Sequence, residues 1–296
     1  MSQRIDVEFV SGQKGEHCRA WLYEPGEKGP FPIIVMAHGL GGTRKMRLDA
    51  FAERFSGAGY ACLVFDYRHF GTSEGHPRQL LDIGKQLQDW SSAIGFARKQ
   101  KNVRADQVVL WGTSFGGGHV LVAAAEDTRV AAVVAQCPFT DGIASALAMD
   151  WRSSIKTSAK AVCDVLRSAL GLTPLFVPAA GPPRSAAFMT APDAQPGYLA
   201  LVPAGSVFDN RVTARSALAI IPYRPGRRAA QLACPVLFCI CEDDSVAPAK
   251  PALRYARQAP GGEVRLYAQK HFDIYVGAGF EQAVTDQLTF LRRCIS

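Results

Sequence analysis

A mostly parallel, doubly wound α/β sheet carrying an inserted, mostly helical cap is the fold class that the 296-residue sequence predicts. Three observations lead there. Short apolar strand-like runs alternate with helical patterns along most of the chain, as in a parallel sheet covered on both faces. The alternation breaks once, over residues 139–232, which are rich in Ala, Pro, Ser and Gly. One strand-to-helix junction carries Gly112-Thr113-Ser114-Phe115-Gly116, the pattern of a sharp turn that presents a serine.

In chain order, residues 4–10 and 17–23 read as two antiparallel strands. Residues 32–37 form a short run rich in β-branched residues that ends at His38-Gly39. Leu48, Phe51, Ala52 and Phe55 recur at offsets of three and four, which predicts a helix, and Gly57 and Gly59 close it. Residues 60–66 are the next buried strand. Ile83, Leu87, Trp90, Ile94 and Ala97 mark one face of a long helix. A strand over 107–111, a small-residue helix over 114–125 and a strand over 130–136 follow, with Pro138 ending the last. The rhythm returns with a strand over 235–240, a helix over 250–258 and a strand over 263–268. Phe280, Val284, Leu288, Leu291 and Ile295 stripe the final helix. A structureless loop as long as 139–232 is unusual inside a compact domain, so that stretch is expected to be a cap on a core made of 1–138 and 233–296.

Composition narrows the function classes. Hydrophobic residues make up 48% and charged residues 20%, which excludes disorder as the dominant state. Eight cysteines spread over this length form no C-x-x-C pair, so buried reduced thiols in a cytoplasmic protein are expected rather than a disulfide framework. No window of 18 apolar residues predicts a membrane span, and residues 1–10 lack the basic-then-apolar order of a signal peptide. The net charge of +7 comes without a nucleic-acid-binding motif, so no nucleic-acid partner is expected. Residues 139–232 hold ten Arg or Lys against five Asp. That surplus is either a solvated surface or an attraction for an anionic substrate.

The chemistry is read from Ser114. A serine between a strand and a helix, with glycines two before and two after, sits on a turn too tight for side chains at those positions. The turn lifts the hydroxyl above the sheet edge and aims a helix N-terminus at a developing oxyanion. A serine hydroxyl needs a base. Of the six histidines, His271 stands between the last predicted strand and the last helix, the place for a base in the chain order Ser, acid, His. His38 is tied to a turn, His119 lies inside a helix, and His17, His69 and His76 precede the serine. The acid that orients the base is sought past the strand 235–240, where Asp243 and Asp244 compete, with Asp141 as a third candidate. The oxyanion donors are expected to be the amides of Phe115, next to the serine, and of Leu40, in the turn His38-Gly39-Leu40-Gly41-Gly42. That glycine-rich turn has neither the P-loop nor the dinucleotide-binding spacing.

These pieces, with Asp66-Tyr67-Arg68 through Gly71-Thr72-Ser73 and His271-Phe272-Asp273-Ile274-Tyr275, resemble an α/β-hydrolase over nearly the whole chain. The last motif resembles the bacterial dienelactone-hydrolase-like and X-Pro-peptidase-like esterase branch. The resemblance implies Asp244 as the acid, four residues before Pro248, and supports Leu40. The expected function is hydrolysis of a small-molecule carboxylic ester or thioester, which the basic surplus allows to be anionic, with catalytic Ser114, Asp244 and His271 and an oxyanion hole of Leu40 and Phe115. No metal or organic cofactor is expected. The alternatives are an amidase or peptidase, a C–C bond hydrolase, a perhydrolase, or a non-catalytic binding protein of the same fold. A dehalogenase is disfavoured because it needs a carboxylate where Ser114 stands. Trp151, Phe176, Phe188 and Phe208 are expected either to wall an apolar pocket or to pack the cap itself.

Overall fold

The computed structural model describes residues 3–13 and 15–295. The chain opens with β1 (Gln3–Ser11), β2 (Glu16–Glu24), β3 (Phe31–Ala37), α1 (Leu48–Gly57), β4 (Ala61–Phe65), α2 (Ile83–Ala97), β5 (Val103–Thr113), α3 (Phe115–Glu126) and β6 (Ala132–Gln136). The intervening stretch holds α4 (Gly142–Ala148), α5 (Trp151–Ala169), β7 (Phe176–Pro178), α6 (Ala194–Ala200), β8 (Arg211–Thr213), α7 (Ser216–Ile220) and a short 3-10 helix at Pro225–Gln231. It is followed by β9 (Val236–Cys241), α8 (Ala249–Ala256), β10 (Gly262–Tyr267) and α9 (Gly277–Cys294).

Eight strands form one sheet in the order β1-β2-β4-β3-β5-β6-β9-β10. The pairs β1/β2 and β2/β4 are antiparallel and the remaining pairs are parallel. Every residue of β4, β6 and β9 is buried. Strands covered on both faces have no solvent side, which is why they read as continuous apolar runs rather than alternations. Helices α1 and α9 pack together on one face, and α2 and α3 on the other. The helix α2 begins at Asp82, whose carboxylate accepts from the Lys85 amide at 3.0 Å. Its Trp90 is fully buried and satisfies its one donor on the Tyr67 hydroxyl at 2.9 Å.

The topology decides where a site can form. β3 lies between β4 and β5, so the chain leaves β3 toward one side and returns as β5 on the other. Loops diverge at such a point and leave a crevice at the carboxyl ends of the strands. The turn after β3 and the turn after β5 therefore meet there. The ends of β9 and β10 open onto the same edge.

Between β6 and β9 the helices α4 to α7 are joined by an antiparallel ribbon, with Val177 opposite Val212 in β7 and β8. The sequence reading did not anticipate this ribbon. Strands of three residues are too short to display alternation.

Candidate active site

Ser114 is the residue between β5 and α3, with φ 55° and ψ −119°. This backbone is strained for a side chain other than glycine. It is held by the Ser114 amide donating to the Gln136 carbonyl at 2.8 Å and by the Phe139 amide donating back at 2.9 Å. The flanking glycines are there for space: a Cβ on Gly112 would stand 2.2 Å from the Gly116 carbonyl oxygen.

Two other strand ends reach Ser114. His271, which follows β10, lies with Nε2 3.1 Å from Ser114 Oγ and Nδ1 2.6 Å from Asp244 Oδ2, past β9. A carboxylate only accepts, so Nδ1 carries the proton and Nε2 is left to accept from the serine hydroxyl. The side chains of His271 and Asp244 are both 1% exposed. Asp244 Oδ1 accepts from the amides of Val246 at 2.9 Å and Ala247 at 2.6 Å, which fixes the carboxylate plane.

The competing residues are elsewhere. Asp243 is exposed. Asp141 accepts from the Ala144 amide at the start of α4 and pairs with Arg224 at 3.0 Å. His119 is buried between Tyr223 and Gln86, and burial lowers its pKa to about 3. His69 is held between the Pro77 carbonyl and Lys85 and is lowered to about 4, chiefly by burial. His17 contacts Glu74 on the surface.

The turn after β3 lies against the serine. A Cβ on Gly39 would fall 2.8 Å from Ser114 Cβ. Among the described residues no hydrogen bond engages the amides of Leu40 or Phe115. Phe115 opens α3, where a helix leaves its N–H groups unpaired. His38 has a part that the sequence reading left out. Its Nδ1 donates to the Gly39 carbonyl at 2.9 Å. Because the peptide is planar, this bond also sets the direction of the Leu40 N–H. Burial holds the His38 ring below its ordinary pKa. From α6, the Tyr198 hydroxyl donates to the Leu40 carbonyl at 3.0 Å.

A buried polar chain supports the serine from below. Tyr275 and Thr113 share a hydrogen bond, Gln136 donates to Thr113 at 3.3 Å, and Gln287 donates to Gln136 at 2.8 Å. The Trp111 indole donates to Gln287 at 2.9 Å. This network ties α9 to the end of β5.

The cavity at Ser114 measures about 30 Å³ and is lined by Leu40, Met46, Met189, Tyr198, Phe272 and Tyr275, among others. That volume has room for water but not for an acyl chain. Met46 also lines a neighbouring cavity of about 300 Å³, and Met189 one of about 480 Å³. Phe208 and Phe188 line those flanking cavities, whereas Trp151 is 62% exposed and walls none of the three. Arg211 and Arg215 do not line the three cavities; they pair with Asp209 at 2.6 Å and Asp164 at 3.8 Å.

Among the described residues, ligand atoms of Cys137, Asp244 and His271 come within 4.8 Å of one another. This trio fits a metal poorly. Asp244 and His271 are already bonded to each other, and burial pushes the Cys137 thiol well above its ordinary pKa.

The family model described as serine aminopeptidase, S33, matches residues 28–274. The quorum-quenching protein AidA of Acinetobacter baumannii (strain MDR-ZJ06) is 55% identical, covering 98% of this chain and 95% of its own. The thiohydrolase aneE of Aspergillus aculeatus is 36% identical over 46% of this chain and 42% of its own. Among solved structures, the α/β-hydrolase GrgF from Penicillium sp. sh18 superposes with a TM-score of 0.84 at 25% identity, covering 99% of both chains. The matched fold is therefore the one the sequence predicts, and these matches do not single out the narrower dienelactone-hydrolase-like branch. The chain belongs to the α/β-hydrolase superfamily, in the family described as serine aminopeptidase, S33.

Proposed function

We propose that this protein is a serine hydrolase that cleaves a carboxylic ester or thioester through an acyl-enzyme on Ser114. The observation that carries the reading is the relay from Asp244 to His271 to Ser114, at 2.6 and 3.1 Å, on a strained strand-to-helix turn. Ser114 Oγ attacks the carbonyl as His271 Nε2 takes its proton. Asp244 holds the required tautomer and stabilises the imidazolium. The Leu40 and Phe115 amides, with the N-terminus of α3 behind Phe115, hold the oxyanion of the tetrahedral intermediate. His271 returns the proton to the leaving alcohol or thiol. It then deprotonates the water that releases the acid. Each of these steps runs on protein groups alone, without a metal or organic cofactor.

Residues 139–232 serve as the cap in this reading, because they supply Met189, Tyr198 and Leu201 to the cavity at the serine. An ester of useful size enters when Met46 or Met189 swings aside and opens one of the flanking cavities. The names of the relatives support the chemistry. By analogy with the thiohydrolase relative a thioester suits this site, and by analogy with the quorum-quenching relative we assign a small diffusible signal ester to this chain as substrate. The motif His271 to Tyr275 still favours a kinship with dienelactone-hydrolase-like and X-Pro-peptidase-like esterases. The buried free cysteines favour a reducing, cytoplasmic setting. An anionic substrate keeps a different basis from the one first expected: Lys45 and Arg78 line the 300 Å³ cavity beside Met46, and the two carboxylates that also line it, Asp66 and Asp209, are already paired with Arg44 and Arg211.

A panel of nitrophenyl esters and acyl thioesters of graded chain length, run beside Ser114→Ala, tests the reading. Turnover of at least one series that disappears in the variant is expected. Equal rates for both proteins would remove Ser114 from the chemistry, and amide turnover exceeding ester turnover would move the reading to a peptidase.

A further inference from the structure

The helix α5 is inside out. Its core-facing side is small and polar, burying Ser153, Thr157, Ala161 and Asp164. Its outer side carries Trp151, Ile155, Val162 and Leu166, continued by Leu170, which are 62, 60, 52, 62 and 75% exposed. These positions are four or seven residues apart, so they form one stripe along the helix. Surface helices of soluble proteins show the reverse arrangement, and a continuous exposed stripe of this kind marks an interaction site. Arg152 and Lys156, each one residue after a stripe position, and Lys160, four residues on from Lys156, form a row on one side of the stripe and are exposed. The only acidic residue of α5, Asp164, is turned inward, where it accepts from the amides of Leu175 and Arg215.

We propose that α5 docks the protein on an anionic lipid surface, lying in the interface with its apolar stripe among the acyl chains and its cations at the headgroups. An apolar face bordered by cations, with a tryptophan at one end and no exposed carboxylate, matches the chemistry of such a surface. A second copy of the chain matches it less well. Two copies of α5 packed antiparallel across a two-fold axis bring their cationic borders to the same side, in a chain that already carries +7. The docking is independent of the reaction at Ser114.

Trp151 makes the test direct, because the other three tryptophans are at most 7% exposed. The full chain is mixed with vesicles of equal parts phosphatidylglycerol and phosphatidylcholine, or of phosphatidylcholine alone. Binding is read by co-sedimentation and by quenching of tryptophan emission with brominated lipid. Binding to the anionic vesicles only, weakened by salt, is expected. Ile155→Gln with Leu166→Gln should abolish it. Lys156→Gln with Lys160→Gln should weaken it by about thirtyfold. An unchanged far-UV spectrum and unfolding midpoint show that each variant is folded. Absence of binding to the anionic vesicles overturns the proposal, as does equal, salt-independent binding to both kinds. A dimer that Ile155→Gln with Leu166→Gln splits, without vesicle binding, would assign the stripe to a second copy.

Discussion

Replacing Asp244 by Asn separates orientation from mere presence of a polar group. Asp244 Oδ1 accepts from the amides of Val246 and Ala247, and Oδ2 faces His271 Nδ1 at 2.6 Å. An asparagine has one oxygen, and the two loop amides claim it because they can only donate. The amide nitrogen is then forced toward His271, and a donor there requires Nδ1 to accept. The imidazole proton moves to Nε2, which can no longer take the proton of Ser114. A wrong tautomer of this kind lowers kcat by about 10⁴, or roughly 5 kcal/mol of barrier. The fold should lose only about 1–2 kcal/mol, because both loop hydrogen bonds survive without the charge. The assay is kcat and KM on a nitrophenyl ester, beside denaturant unfolding. Asp243→Asn, on an exposed side chain, should stay near the parent. A loss below tenfold for Asp244→Asn, or a larger loss for Asp243→Asn, would refute the assignment.

Met189→Ala should join the 30 Å³ and 480 Å³ cavities and favour longer acyl chains, by about tenfold in kcat/KM for two added methylenes; an unchanged chain-length profile would mean that the acyl group lies elsewhere. Lys45→Gln should raise KM for a carboxylate-bearing ester more than for its neutral analogue, with the gap shrinking in salt. Equal shifts would end the anionic reading. Stability should fall as pH drops below about 6.5, where unfolded histidine takes up a proton while His119, at about 3, and His69, at about 4, stay neutral when folded. Each costs about 2 kcal/mol by pH 5, so His119→Gln should remove roughly half of that loss in chemical unfolding, and a flat profile from pH 7 to 5 would contradict their burial as neutral groups.

What the sequence disclosed and what it hid divide along the range of the interactions involved. Ser114 was readable because its turn needs Gly112 and Gly116 within two residues, a constraint written locally. The residues past β9 and β10 were readable because β9 is a continuous apolar run and Val264 and Leu266 alternate with polar residues in β10, so each strand places the next loop at the sheet edge. The choice between Asp243 and Asp244 depended on resemblance, since adjacent residues differ only in which way they point; the geometry now gives that contact to Asp244. The cavity lining was mostly hidden. Tyr198 reaches the Leu40 carbonyl across 158 residues, and Met189 sits in an irregular stretch with no period to read. Composition shows the basic surplus of 139–232 but not how it is paired, since Arg211 and Arg215 have carboxylate partners beside them.

Covalent modification of Ser114 during catalysis is the step on which the proposed mechanism depends. A fluorophosphonate probe followed by peptide mass spectrometry measures this directly. One adduct per chain is expected, on Ser114, with its rate of formation falling sharply in His271→Ala and Asp244→Asn and its signal absent in Ser114→Ala. An unmodified Ser114 in a protein that still turns over its ester, or an adduct carried by another residue, would contradict the proposed mechanism.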